Sequence, residues 1–224
     1  MRAHGSCDAL GGNRMAGKIL NSNVEKYLES LLPKRDAVLT EMERYAKKHG
    51  VPIIGPACGR LLYLLAQTAG AKRIFEMGSA IGYSTIWLAR AAGPGAEIYY
   101  TDGSAENAKL AGQNLNRAGV SDRVQILVGD ALFLLDEIGG AFDLIFIDVD
   151  KHQYPKALQK AIPRLKSGGI LITDNALWSG RVTAKAKDIR TRSIQQLNRM
   201  VYSSDELFPV IIPLRDGVVV CRKS

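Results

Sequence analysis

From Arg73 to Asp174, five short apolar runs alternate with amphipathic stretches, and that alternation constrains the chain more than anything else in it. The runs are RIFEM (73–77), EIYYTD (97–102), RVQILVGD (123–130), FDLIFIDVD (142–150) and GILITD (169–174). Near-continuous apolar runs of this length are strands buried on both faces, and the stretches 82–92, 104–118, 131–138 and 152–165 between them carry helical periodicity. Strand and helix joined by short connections imply right-handed crossovers and a Rossmann-like, doubly wound α/β sheet. The tail departs from this rhythm. A helical stretch over 188–203 is followed by LFPVIIPL (207–214) and GVVVCRK (217–223), which meet at a tight Arg215-Asp216 corner. Strands joined so closely must pair antiparallel, so the sheet is expected to be mostly parallel with a C-terminal antiparallel hairpin.

Upstream, residues 23–50 read as helical with Gly50 as the C-cap, Pro52 to Pro56 as a turn and 59–69 as an apolar-faced helix. Together they form an N-terminal helical extension of about 21–70 on a single domain spanning 21–224. Residues 1–20 lack periodicity and read as a disordered leader, with Met15 a second candidate start. No segment approaches the ~20 apolar residues that span a bilayer, and the N-terminus carries no secretory signal. The three cysteines, Cys7, Cys58 and Cys221, form no CxxC pair, so a disulfide framework or thiolate zinc site is not expected. The expectation is a soluble protein of the reducing cytoplasm, without a membrane partner.

The first strand runs into Glu76-Met-Gly78-Ser79-Ala-Ile-Gly82-Tyr83-Ser84, directly before a helix. Glycine at a strand's carboxyl end admits a ligand close to the backbone, and the helix N-terminus offers free N–H groups. The spacing is G-x-x-x-G with an acid two residues ahead; Glu76 would repel a pyrophosphate and suits a ligand with a cationic or amino group. The second strand ends in Asp102, followed by Gly103-Ser104, where an acid can accept ribose hydroxyls. The third ends in Gly129-Asp130-Ala131, which can edge an adenine. Each acid also has a plain reading as a helix N-cap, which Ser104 and Asp130 suit. Three acidic strand tips in consecutive units favour a nucleoside ligand.

The fourth run ends Asp148-Val149-Asp150-Lys151-His152 and the fifth Asp174-Asn175. Carboxyl ends of neighbouring parallel strands converge on one crevice, so Asp148, Asp174 and Asn175 offer two carboxylates and an amide oxygen together. Three hard oxygen donors with room for water suit Mg²⁺ or a similar divalent cation. A turn at Asp174-Asn175 and a helix cap at Asp148 is the structural alternative. Lys151, three residues after Asp148, is a candidate general base whose pKa would fall beside a dication; His152 reads as helix surface.

These residues carry a family resemblance. From about Gly55 to Arg222 the sequence resembles the metal-dependent class I O-methyltransferases of the catechol and caffeoyl-CoA type. The motifs are Glu76-x-Gly78-x-x-x-Gly82-Tyr83-Ser84, Asp148-x-Asp150-Lys151-x-x-Tyr154, Asp174-Asn175-x-x-Trp178-x-Gly180 and the closing Asp216-Gly217. The resemblance implies S-adenosyl-L-methionine, leaving as S-adenosylhomocysteine, held by Glu76, Gly78, Ser79, Ser84, Asp102, Ala131 and Asp150, with backbone near Ile54 at its edge. Gly103 and Asp130 belong to the same expected cofactor set. It implies Mg²⁺ on Asp148, Asp174 and Asn175, Lys151 as base, Trp178 and Ser179 near the acceptor, and a homodimer. A dehydrogenase would be expected to continue with parallel crossovers, and a non-catalytic nucleoside-binding protein would not need the metal and lysine set.

Two features bear on the acceptor. The extra carboxylate of the catechol enzymes would fall near Val210 and is missing. The net charge of +8 is concentrated: residues 151–200 hold eleven Lys/Arg against two acids, and Arg181 to Arg192 alone hold five basic residues and one acid. This is either a solvated helix face or a surface steering an anionic substrate. A small phenolic or catecholic hydroxyl is the first expectation. Hydroxyuridine in tRNA is the second, with Trp178 or Tyr154 stacking on the base.

Overall fold

The computed structural model describes residues 21–224; the leader expected over 1–20, with Cys7, lies outside the described residues. Seven strands form one sheet in the order β3-β2-β1-β4-β5-β7-β6. They are β1 (Arg73–Met77), β2 (Glu97–Asp102), β3 (Val124–Val128), β4 (Phe142–Ile147), β5 (Leu165–Thr173), β6 (Leu207–Ile212) and β7 (Val218–Lys223). Every pairing from β3 through β5 is parallel, and β7 runs antiparallel to both β5 and β6. The mixed α/β sheet and its antiparallel end agree with the sequence reading. The last strand inserts between β5 and β6 instead of adding outside.

The inner strands β1, β2, β4, β5 and β7 are largely buried on both faces because successive side chains enter different layers. The edge strands β3, expected to be buried on both faces, and β6 leave Ile126, Val128, Phe208 and Val210 exposed, since no strand covers their outer side. Ile74, Ile98, Leu144, Phe146, Ile172, Val218 and Val220 pack beneath α2 (Ala37–His49), α3 (Gly55–Thr68), α4 (Tyr83–Ala92) and α5 (Ala105–Arg117). Their neighbours Phe75, Met77, Tyr99, Ile145, Ile147, Leu171, Val219 and Cys221 face α6 (Ala131–Glu137), α7 (Tyr154–Arg164) and α8 (Ile189–Tyr202). Gly59 lets α3 lie against α4, since a Cβ there would fall 2.3 Å from the Trp87 indole nitrogen.

The stretch read as helical over 23–50 forms two helices, α1 (Ser22–Ser30) and α2. Pro33 interrupts it, having no N–H for a continuing helix, and Asp36 caps α2 by accepting from the Leu39 N–H at 3.1 Å. Gly50 ends α2 in the left-handed conformation, as expected. α3 begins at Gly55, four residues earlier than periodicity suggests, because Pro56 is tolerated in a first helical turn. β4 stops at Ile147, so Asp148, Val149 and Asp150 stand beyond the strand in a turn. No helix among the described residues is long and apolar enough to cross a membrane.

Candidate active site

Strand order reverses between β1 and β4, and the crevice outside their carboxyl ends is where an open α/β sheet binds ligands. Gly78, just past β1, has φ 87. A Cβ there would sit 2.5 Å from the backbone oxygen of Asp148, just past β4. Gly78→Ala is therefore expected to destabilise the fold by about 2–4 kcal/mol and lower the melting midpoint by roughly 5–10 °C. Thermal denaturation followed by circular dichroism checks this, and an unchanged midpoint would mean the two turns are not in contact.

A cavity of about 430 Å³ opens at this point, lined by Gly78, Thr101, Asp102, Gly103, Gly129, Asp130, Ala131, Asp148, Val149, Asp150 and Gln153. Six of the ten residues expected to hold the cofactor are among them: Gly78, Asp102, Gly103, Asp130, Ala131 and Asp150. Asp102 is held by the Ala80 N–H (3.0 Å), the Ser104 N–H (2.8 Å) and the Asn107 amide (3.1 Å), which fixes its carboxylate toward the cavity's rim. Asp130 and Ser104 are also the N-caps of α6 and α5, so the structural and ligand readings of these positions coexist.

Glu76 lies behind the glycine turn with no exposed surface. Thr85 Oγ1 donates to its Oε2 at 2.5 Å, while Oε1 is buried without a partner. Burial pushes its carboxyl up to about 7, and the hydroxyls of Ser84, Thr85 and Ser79 restrain the rise. Ser79 and Ser84 therefore act here as a polar shell on Glu76. Thr85 belongs to that shell and was not anticipated; a third hydroxyl in Tyr83-Ser84-Thr85, at the mouth of an otherwise apolar helix, is its sequence signal.

A second cavity of about 440 Å³ shares the Asp148, Val149 and Asp150 wall and is lined further by Pro52, Ile53, Lys151, Asp174, Asn175, Trp178, Arg190 and Arg215. The expected metal residues do converge in it. Lys151 Nζ donates to Asp148 Oδ1 at 2.6 Å and to Tyr154 Oη at 2.8 Å, and Tyr154 donates to the Asp174 carbonyl at 3.0 Å. Burial and then the Asp148 charge raise the Asp174 carboxyl to about 6; burial raises Asp148 too, against the pull of Lys151. Asp174 Oδ1 is buried with no hydrogen-bond partner. Asn175 takes a left-handed φ of 60, and its amide nitrogen donates to Asp216 Oδ2 at 3.3 Å, which leaves its oxygen available. Among the described residues no three His, Cys, Asp or Glu side chains cluster as a metal group; any set here is two carboxylates completed by an amide.

The Ile54 side chain is core, and its carbonyl accepts from Arg215; the neighbouring Ile53 and Pro52 face the second cavity instead. Ser179, at φ 51, donates its N–H to Asp216 and lines a third hollow of about 380 Å³ with Asn175, Arg215 and Asp216. Trp178 reaches the second cavity, with the Arg181 guanidinium 5.5 Å from its ring centroid. Arg215 is the residue that sequence reasoning missed; it lies 41 positions from Asp174, and a basic residue at a hairpin corner gives no local hint.

Comparison with known proteins places the chain among relatives. A model of the family described as O-methyltransferase matches residues 30–224. A catechol O-methyltransferase of Mycobacterium tuberculosis is 37% identical over 169 residues, covering 74% of this chain and 77% of that protein. Another, from Niastella koreensis, is 36% identical over 166 residues, or 71% and 75% of the two chains. The O-methyltransferase from Bacillus cereus solved in complex with SAH superposes with a TM-score of 0.82 at 29% identity, over 90% of this chain and 97% of that one.

Proposed function

Since the chain belongs to the O-methyltransferase family, we propose that it transfers a methyl group from S-adenosyl-L-methionine to a hydroxyl of a small phenolic or catecholic acceptor, assisted by Mg²⁺ or a similar divalent cation. The observation that carries the reading is the shared wall of Asp148, Val149 and Asp150 between two cavities. One cavity suits a nucleoside with an amino group and the other a hydroxyl beside oxygen ligands, so donor and acceptor would meet across three residues. The buried, partnerless Oε1 of Glu76 and the Gly78 cradle that a Cβ would fill fit the cofactor. The partnerless Asp174 Oδ1 beside Asp148 and the Asn175 oxygen fits a hard dication.

When bound, the sulfonium supplies an electrophilic methyl group and the cation lowers the pKa of the acceptor hydroxyl. The chain's own part is placement and proton handling. Glu76 receives the cofactor's amino group, while Asp102, Gly103, Asp130 and Ala131 edge its ribose and base. Asp148, Asp174 and Asn175 hold the cation. Trp178 and Ile53 wall the acceptor ring and keep water out. Lys151, once its ammonium group has released a proton to solvent, would take the acceptor's proton on the neutral amine, its Nζ held in the cavity by Asp148 and Tyr154. Holding the reactants in line accounts for much of the acceleration expected of such a site.

Arg190 favours a second reading, methylation of hydroxyuridine in tRNA. It is exposed, forms no side-chain hydrogen bond or ion pair among the described residues, and faces the acceptor cavity next to Trp178. Arg181 already covers one face of Trp178, leaving less of the indole for a base. Incubation with labelled cofactor, Mg²⁺ and either a vicinal diol or undermodified bulk tRNA separates the two. Label in the diol and none in RNA is expected. Label in RNA that vanishes when Arg190 and Arg192 become Glu would put the nucleic acid first. The reading also includes a cytoplasmic homodimer: α1 buries none of its residues and exposes Val24, Tyr27 and Leu28, with Leu31 exposed at its C-cap, a face that pairing would cover.

A further inference from the structure

The acceptor cavity contains a permanent cation that methyl transfer does not use. Arg215 stands at the corner between β6 and β7 with φ 52, a left-handed conformation that non-glycine residues seldom adopt. Its Nη1 lies 3.5 Å from Asp174 Oδ2. The same guanidinium donates to the Ile54 carbonyl and, at 3.3 Å, to the Ile53 carbonyl. The buried Cys58 thiol packs against it as well. These contacts pin the group over Asp174 instead of leaving it free to swing into solvent.

Each of the two carboxylates assigned to the divalent ion thus already carries a protein cation: Lys151 on Asp148 Oδ1, and Arg215 on Asp174 Oδ2. Among the described residues, Asp148 Oδ2, Asp174 Oδ1 and the Asn175 oxygen accept no hydrogen bond. A lysine can release its proton and its charge. An arginine cannot, so Arg215 stays positive whatever occupies the site. We infer that Arg215 is a resident counter-ion of Asp174 that opposes the divalent cation, so that the ion binds weakly and exchanges readily while the empty site remains folded. This rests on the metal reading above and adds to it a residue that tunes the ion's affinity.

The test measures Mn²⁺ binding to the full chain by calorimetry and by the loss of free-ion electron paramagnetic resonance signal. Arg215→Gln keeps a donor for the Ile53 and Ile54 carbonyls but removes the charge, and is expected to tighten Mn²⁺ binding about 10–100-fold, as a unit charge within a few ångströms of a dication implies. Arg215→Lys keeps the charge and is expected to stay within about threefold of wild type. Without metal, Arg215→Gln melts lower than wild type, and Mn²⁺ raises its melting midpoint by more than it raises that of wild type. If the variant is unfolded without metal, millimolar Mn²⁺ restores it; failure to do so overturns the inference. Equal Mn²⁺ affinity in folded Arg215→Gln and wild type overturns the counter-ion role and leaves the metal site standing. Arg215→Lys tightening as much as Arg215→Gln does so too, since charge would not be the cause. Binding of Mn²⁺ to none of the three proteins removes the metal reading itself.

Discussion

Asp148→Ala is expected to lower metal-stimulated methyl transfer by at least about a thousandfold, equivalent to about 4 kcal/mol of transition-state stabilisation, while SAH affinity changes only a few-fold. Two losses coincide at one carboxylate. The cation loses one of three protein oxygens, and Lys151 loses the acceptor that holds its Nζ at 2.6 Å. Tyr154 and the Val149 carbonyl, at 2.8 and 3.5 Å, remain as partners of the lysine but carry no charge to hold its ammonium group. The cofactor cavity survives because the part of Asp148 that meets Gly78 is backbone, which alanine retains. Steady-state kinetics over a Mg²⁺ series, with SAH calorimetry on the same protein, separates the effects. A hundredfold loss of SAH affinity with intact metal stimulation would mean that the two cavities have been given each other's roles.

The sheet was legible because its inner strands are buried on both faces and therefore read as continuous apolar runs, and because Arg215-Asp216 leaves too few residues for a crossover; the apolar run of β3 gave no sign that it is an exposed edge. The position of β7 between β5 and β6 was not, since strand order depends on which edge the last hairpin reaches. The break between α1 and α2 is written in Pro33, although the sequence pattern alone did not place it. In the site, Glu76, Gly78, Asp102, Asp130 and Asp148 were readable as acids and glycines at strand tips, a position that topology alone brings to one crevice. Ile54 and Ser179 came from resemblance only; the Ile54 carbonyl accepts from Arg215, and Ser179 lines the hollow beside Asn175. Arg215 was invisible. Its partners, Asp174 and the Ile53 and Ile54 carbonyls, lie 41 and about 160 residues away, and no local pattern reports a tertiary ion pair of that span.

Glu76→Gln is expected to weaken cofactor binding roughly 10–100-fold while making the empty protein more stable at alkaline pH. The carboxyl has no exposed surface, and burial raises it from an ordinary value of 4.5 to about 7. Between those two values the folded chain keeps a proton that the unfolded chain releases. Stability is therefore greatest below about pH 4.5 and declines as pH rises toward 7, at up to 1.36 kcal/mol per unit. The loss is complete above 7 and is on the order of 3 kcal/mol. Glutamine cannot ionise and abolishes that decline, so melts at pH 8 should favour the variant, with little difference near pH 5. Binding runs the other way. The cofactor's ammonium group pairs with the ionised carboxylate through the oxygen that has no partner in the empty site, a charge-assisted bond worth about 1.5–3 kcal/mol. Wild-type affinity should thus rise with pH up to about 7 and then level, whereas the Glu76→Gln affinity stays flat across the same range. Calorimetry with SAH at pH 5.5, 7 and 8.5, paired with urea denaturation of both proteins, reads the two trends. Parallel pH profiles in wild type and variant would remove Glu76 as the titrating group and, with it, the account of why a buried acid stands behind the glycine turn.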